Sequence, residues 1–158
     1  MPTEIERRFL VTGTEWRQAG GVRFCQGYLC RGEARTVRVR LAGEKAFLTI
    51  KGPTRGASRA EFEYEIPVAD AEQLLRLCDG PVIQKIRHVV VFSGFRWEVD
   101  EFLGDNTGLI VAEIELERED QPFERPGWVG PEVTADPRYR NSNLGPKPYS
   151  TWSDRTHA

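Results

Sequence analysis

Two histidines, His88 and His157, are all that the chain carries, which excludes a metal centre built on several imidazoles. Its three cysteines, Cys25, Cys30 and Cys78, form no C-x-x-C pair, and an odd count fits no disulfide framework. A reduced, cytoplasmic setting is therefore expected. No apolar run approaches the roughly 20 residues of a membrane-spanning helix, and the N-terminus shows no signal-peptide pattern. A P-loop, a glycine-rich phosphate cradle and a Cys/His nucleophilic pair are also missing. The formal net charge of −2 supplies no global attraction for nucleic acid or an anionic membrane, so neither is expected as a partner. Any metal must then be held by carboxylates, which favours a hard cation, Mg²⁺ or Mn²⁺.

What is present is a chain of 158 residues, 29% charged and 39% apolar, enough for one soluble domain with a sizeable core. Apolar and polar residues alternate through most of it, the period-2 pattern of strands. Strands are predicted over 3–11, 23–31, 35–42, 45–51, 59–67, 83–93, 95–102 and 109–118, with turns at Gly32-Glu33, Ala42-Gly43-Glu44, Ser93-Gly94 and Leu103-Gly104-Asp105-Asn106. One short helix is expected after Thr14, over 15–19, and another after Asp70 as N-cap. Segment 129–145, with Pro131, Pro137 and Gly145, has room only for short helices, and 146–158 reads as a loose tail. The whole of 1–158 reads as a single domain.

Residues i, i+2 and i+4 of a strand share a face. Glu4, Glu6 and Arg8 thereby lie together, opposite Ile5 and Phe9; Arg38 and Arg40 oppose Val37, Val39 and Leu41. The same holds for Thr49 and Lys51; for Arg59, Glu61, Glu63 and Glu65; for Lys85 and Arg87; for Arg96, Glu98 and Asp100; and for Glu113, Glu115 and Glu117. A sheet with its charged side in water explains any one strand, where ion pairs contribute about 0–1 kcal/mol each. Repeated in strand after strand, short or planar charges of both signs fit better inside a closed barrel that holds one small ligand. The expected fold is mainly β (α+β): a closed eight-stranded antiparallel barrel with a charged lumen, short helices packed outside and a C-terminal helical segment. Its basic side chains suit a polyanion and its carboxylates a divalent cation, the parts that phosphoryl transfer to water requires.

The segment Glu4-Ile5-Glu6-Arg7-Arg8 resembles the N-terminal E-x-E-x-K motif of the CYTH superfamily, the triphosphate tunnel metalloenzymes. Arg38-Val39-Arg40, Thr49-Ile50-Lys51, Glu61-Phe62-Glu63-Tyr64-Glu65, Lys85-Ile86-Arg87, Glu98-Val99-Asp100 and Glu113-Ile114-Glu115 resemble further strand motifs of that family in its order. Glu132-Val133-Thr134 and Tyr139-Arg140-Asn141-Ser142-Asn143-Leu144 resemble the C-terminal segment of its short bacterial members. The resemblance implies a tunnel dependent on Mg²⁺ or Mn²⁺, with Glu4, Glu6, Glu113 and Glu115 as metal-site carboxylates and Glu63 and Asp100 as further contributors. Arg8, Arg38, Arg40, Lys51, Lys85 and Arg87 would grip the phosphates. Tyr28, within Gln26-Gly27-Tyr28-Leu29, would pair with the last residue of the first motif to orient the attacking water.

That last residue departs from the family pattern: the lysine is Arg8 here. A guanidinium keeps its proton at any working pH, so Arg8 supplies charge but cannot act as a general base. Water activation would fall to Tyr28 or to metal-bound water. The resemblance implies hydrolysis of inorganic triphosphate to pyrophosphate and phosphate; a homodimer is one assembly open to the protein, whose oligomeric state the sequence does not fix. A nucleoside- or thiamine-triphosphatase, a class IV-type adenylyl cyclase and a non-catalytic polyphosphate sensor are the alternatives. A sensor would keep the bases and lose the carboxylates, and both acidic pairs are intact.

Overall fold

The computed structural model describes residues 3–17 and 20–153. Nine strands form one antiparallel sheet: β1 (Thr3–Val11), β2 (Val22–Arg31), β3 (Thr36–Ala42), β4 (Lys45–Lys51), β5 (Ser58–Ile66), β6 (Asp79–Phe92), β7 (Phe95–Phe102), β8 (Ile110–Glu115) and β9 (Val129–Glu132). Their order is β5-β4-β3-β2-β6-β7-β8-β1-β9, and a further β5–β1 pairing closes β1 to β8 into a barrel. Strand β1 makes the closure by dividing one edge between two partners. Thr3 to Ile5 pair with β5, whereas Phe9 and Val11 pair with β9, across a register shift. Closure pairs the edges of β1 to β8 and so removes most of the exposed sheet edge that invites aggregation, leaving the open side of β9.

The alternation read from the sequence sorts the two faces. Outward side chains of β1, β6, β7 and β8 build one core from Phe9, Trp16, Val90, Trp97, Val99, Ile114 and Trp128. The helix α1 (Val68–Arg76) covers a second outer face, packing Ala71, Leu74 and Leu75 on Val39, Ala46 and Leu48. A third core joins Leu10, Ile83, Phe102 and Val111 to Tyr139, Leu144, Tyr149 and Trp152 of the C-terminal segment. The middle of the inner face carries the charged and polar groups, and Leu10, Ile83, Phe102 and Val111, which share its parity, close one end of it.

Several expectations are corrected. Helix α1 begins after Pro67, not Asp70; Pro67 has the extended backbone of a cap, and Asp70 lies in the first turn, where a carboxylate favours the helix dipole. Residues 14–17 form a turn, closed by the Arg17 amide on the Thr14 carbonyl at 2.9 Å; the rest of the helix expected there lies outside the described residues. Segment 129–145 opens with β9, despite Pro131. β9 pairs with β1 alone, and an edge strand tolerates a missing N–H donor. Beyond it come a 3-10 turn (Pro137–Tyr139) and the short helix α2 (Asn141–Leu144). Residues 146–153 are not loose: Tyr149 and Trp152 are buried, the Tyr149 amide donates to Asn106 Oδ1 at 2.8 Å, and the Trp152 indole to the Lys147 carbonyl at 3.1 Å. Residues 154–158, with His157, lie outside the described residues.

Candidate active site

Strand pairing carries the inner charges around the barrel in nearly continuous contact. Glu4 faces Arg59, Lys51 faces Glu61, and Thr49 stands between Arg38 and Glu63. Tyr28 faces Arg38, Gln26 faces Arg40, and Phe24 faces Lys85. Arg87 faces Asp100, Glu113 stands between Glu98 and Arg8, and Glu115 faces Glu6. Most of these side chains, with Thr36, Asn141 and Ser142, line a cavity of about 180 Å³.

Of the residues singled out from the sequence, Glu4, Glu6, Arg8, Tyr28, Arg38, Arg40, Lys51, Glu63, Lys85, Arg87, Glu113 and Glu115 all line this cavity. Asp100 does not. It is buried behind the wall, where Lys85 Nζ approaches it at 2.6 Å and Arg87 grips both its oxygens at 2.8 and 2.9 Å. Burial alone would raise its pKa, but Arg87 and Lys85 hold it well below the carboxylate range. With its oxygens taken by two cations, Asp100 braces Lys85 and Arg87 from behind the wall and does not itself line the cavity. Glu65, Arg96 and Glu117, read as lumen residues, also lie off the cavity. β5 and β7 run past the rim at Glu65 and Arg96, and Glu117 follows the end of β8. Glu119, beyond β8, accepts the Ala57 amide at 2.7 Å and pins the loop before β5.

The carboxylates fall into two electrostatic groups. Glu113 is pulled down to about 2: burial works against it, but Arg8, whose Nε donates to it at 2.9 Å, prevails. Glu6 is pushed up to about 7 by burial and then by repulsion from Glu113, although Arg8 also reaches it at 2.9 Å. Glu4 is raised by burial against the pull of Lys51, which donates to it at 2.9 and 3.1 Å. Glu115 is raised by burial and by Glu4 and Glu6.

Like charges crowded in this way favour a multivalent cation. As the side chains lie, Lys51 and Arg8 occupy the carboxylates, and among the described residues no three of them converge at ligand distance. The donor set nonetheless fits a hard dication: every member is a carboxylate oxygen, and Glu115 has no ion-pair partner among the described residues.

The bases are positioned by groups to which the sequence assigned no role. Phe24 lies beneath three of them, with Arg87, Arg40 and Lys85 at 4.6, 4.8 and 5.8 Å from its ring centroid. Such a cation–π contact contributes about 0.5–2 kcal/mol. Gln26, fully buried, accepts from Arg40 Nε at 2.8 Å and donates to Asn141 at 3.1 Å. Asn141 Oδ1 also accepts from Lys85 Nζ at 2.8 Å, so α2 plugs one side of the cavity. Thr49 accepts from Arg38 at 3.2 Å and donates to Glu63 at 3.0 Å. Phe24 and Gln26 share the face of Tyr28, so parity could have found them once Tyr28 was placed inside. Asn141 lies in a segment without periodicity and carried no such signal.

Burial lowers Lys85 to about 7 and, with help from Arg38 and Arg87, Arg40 to about 9. A bound polyanion would favour the charged form of both. Tyr28 is buried beside the cavity, and among the described residues no hydrogen bond joins it to Arg8, whose guanidinium is taken by Glu6 and Glu113.

The cysteines are free, and His88 is buried on the outside against Trp16, with ring centroids 5.1 Å apart. Neither belongs to the site.

Comparison with known proteins agrees with this geometry. The chain is 50% identical over 156 residues to the inorganic triphosphatase of Acetivibrio thermocellus, covering 98% of this chain and all of that protein. It is 37% identical over 146 residues to the inorganic triphosphatase of Nitrosomonas europaea, covering 90% and 96%. The crystal structure of an inorganic triphosphatase superposes with a TM-score of 0.66 at 35% identity, over 92% of this chain and 95% of that one. The family profile described as the CYTH domain matches residues 2–144, and the chain belongs to the CYTH family.

Proposed function

We propose that this protein hydrolyses inorganic triphosphate to pyrophosphate and phosphate inside the barrel, with a divalent cation, Mg²⁺ or Mn²⁺, as cofactor. The observation that carries this is one cavity in which Arg38, Arg40, Lys51, Lys85 and Arg87 stand beside Glu4, Glu6, Glu113 and Glu115. The relatives named inorganic triphosphatase along their full length support the same reaction.

The five bases bind the non-bridging oxygens of the substrate and offset charge that builds as the terminal bond breaks. Asp100, Thr49, Gln26 and Asn141 fix their directions. Glu4, Glu6, Glu113 and Glu115 would hold the cation, which supplies Lewis acidity and further charge compensation when bound. Water forms a bond to the terminal phosphorus, the bond from that phosphorus to the bridging oxygen breaks, and pyrophosphate leaves as one proton is released. Arg8 cannot accept that proton; it holds Glu6 and Glu113 in place and adds positive charge. Tyr28 orients the water from the opposite wall.

The deciding assay measures phosphate release from triphosphate, ATP, thiamine triphosphate and pyrophosphate, each with Mg²⁺ and with Mn²⁺. Fastest release from triphosphate, abolished by chelation, is expected. Tight binding of triphosphate without release from any of the four would reduce the protein to a polyphosphate sensor.

A further inference from the structure

Of the five bases proposed to bind the phosphates, Arg40 alone has no ion-pair partner among the described residues. Lys51 pairs with Glu4, Arg38 with Glu63, and Lys85 and Arg87 with Asp100, at 2.6 to 3.5 Å. The one hydrogen bond that the Arg40 guanidinium makes to a described residue runs from Nε to Gln26 Oε1, a neutral acceptor, at 2.8 Å. Burial, then repulsion by Arg38 and by Arg87, disfavours its charged form. Asp100 attracts it less than either arginine repels it, and the oxygens of Asp100 are held by Lys85 and Arg87.

The strand register builds the contact. Gln26 on β2 stands directly opposite Arg40 on β3, and both point inward. The direction of each amide follows from its neighbours, because a guanidinium and an ammonium can only donate. Gln26 therefore turns Oε1 to Arg40, and Asn141 turns Oδ1 to Lys85 Nζ at 2.8 Å. Gln26 Nε2 completes the chain by donating to the same Asn141 oxygen at 3.1 Å. A cation stands at each end and both acceptors between them are neutral. The chain thus fixes the direction of Arg40 without cancelling its charge. Glutamate has the shape of glutamine and would make the stronger, charge-assisted bond to Arg40. It would also supply the counter-ion that a substrate oxygen would otherwise be.

We propose that Gln26 is a positioning residue whose neutrality is its function: it aims Arg40 into the cavity and leaves that charge for the phosphate oxygens of the substrate. The identity of the anion rests on the proposed hydrolysis of triphosphate; the state of Arg40 does not.

Two variants separate charge from shape. Gln26→Glu keeps an acceptor on Arg40 and adds a counter-ion, whereas Gln26→Met keeps the approximate volume and removes both amide bonds. Calorimetric titration with inorganic triphosphate in EDTA reads binding without turnover, and urea denaturation reads stability. Gln26→Glu should weaken binding about tenfold or more, the scale of one charge-assisted contact, and Gln26→Met less than about fivefold. Gln26→Glu should nevertheless unfold at a higher urea concentration than Gln26→Met. A glutamine with a purely structural role would give the same order in both measurements. Asn141→Asp places the same charge one link away, against Lys85, which Asp100 already pairs, so it should weaken binding several-fold less than Gln26→Glu. KM in the Mg²⁺-dependent release assay should rise in the order of the binding losses. Binding by Gln26→Glu as tight as that of Gln26→Met, or equal losses in Gln26→Glu and Asn141→Asp, overturns the proposal. A wild type that binds triphosphate and releases no phosphate, with the variants in the expected order, would refute the hydrolysis and leave the role of Gln26 standing.

Discussion

Asp100 and Arg8 perform opposite services for the charges around them. Asp100 accepts from Lys85 and Arg87 at 2.6 to 2.9 Å while buried, so two bases of the cavity depend on one carboxylate. Removing one partner of such a buried set costs about 3–5 kcal/mol, because the remaining charges lose their counter-ion. Asp100→Asn is expected to lower the unfolding free energy by that amount at pH 7 and to raise KM for triphosphate, as urea denaturation and steady-state kinetics would show. The sign with pH follows from its depressed folded-state pKa: the stabilisation is present above the unfolded-state value and is lost as pH falls towards the folded one. The gap between variant and wild type should therefore narrow below about pH 4. A gap that stays constant down to pH 3 would assign the loss to packing.

Arg8 bridges two acids, Glu6 and Glu113, through two different nitrogens at 2.9 Å. Lysine presents a single ammonium and cannot span them as a planar fork does. Arg8→Lys should cost roughly 1–2 kcal/mol of stability, the scale of a hydrogen bond to a charged group. Its turnover should equal or exceed that of the wild type, because an ammonium can give up a proton where a guanidinium cannot. A substantial fall in kcat for Arg8→Lys would show that the guanidinium itself is required.

At the scale of elements, the barrel strands and the inward residues were legible because one physical rule governs both. A strand that buries one face must alternate, and a register slip of one residue would exchange its faces. Glu4, Glu6 and Arg8 therefore point inward because Phe9 and Val11 must reach Trp97, Trp128 and their neighbours outside. What escaped was non-periodic or depended on distant partners. β9 is four residues long and contains Pro131, so only β1's free edge makes it a strand. Asp100 shares parity with true cavity residues, and its withdrawal behind the wall was set by Lys85 and Arg87. The C-terminal segment has no alternation, yet its aromatic side chains close one end of the barrel. Trp152 packs edge-on against Tyr139 and Tyr149, with ring centroids 5.1 Å away in each case, beneath Arg138 at 4.9 Å. Trp152→Ala should cost about 3–5 kcal/mol. Because Tyr149, α2 and Asn141 are anchored by the same cluster, the variant should also bind triphosphate more weakly. A stability loss below 1 kcal/mol would make residues 149–153 a dispensable cover.

For the whole molecule, the protein tolerates a highly charged interior by setting acids and bases side by side around a closed sheet. The compensation is uneven: Arg8, Arg87 and Lys85 satisfy Glu113 and Asp100, whereas Glu4, Glu6 and Glu115 remain raised. Without metal, Glu6 at about 7 keeps its proton well above the unfolded-state range. The folded state then binds more protons than the unfolded one between about pH 4.5 and 7, and Glu6's contribution to stability falls as pH rises across that window. A divalent cation needs the ionised carboxylate, so its binding must displace the proton below pH 7 and need not above it. Lys85, lowered to about 7 by burial, acts with the opposite sign and above that window: from pH 7 upward the unfolded state holds a proton that the folded state has lost, so its contribution to stability rises with pH. Metal binding stabilises the fold in proportion to the logarithm of metal concentration over Kd. The rise in Tm produced by millimolar Mg²⁺ should therefore be larger at pH 8 than at pH 6, with proton release on binding at pH 6 that disappears at pH 8. Equal rises in Tm at the two pH values, with no proton released at either, would place the cation away from Glu6.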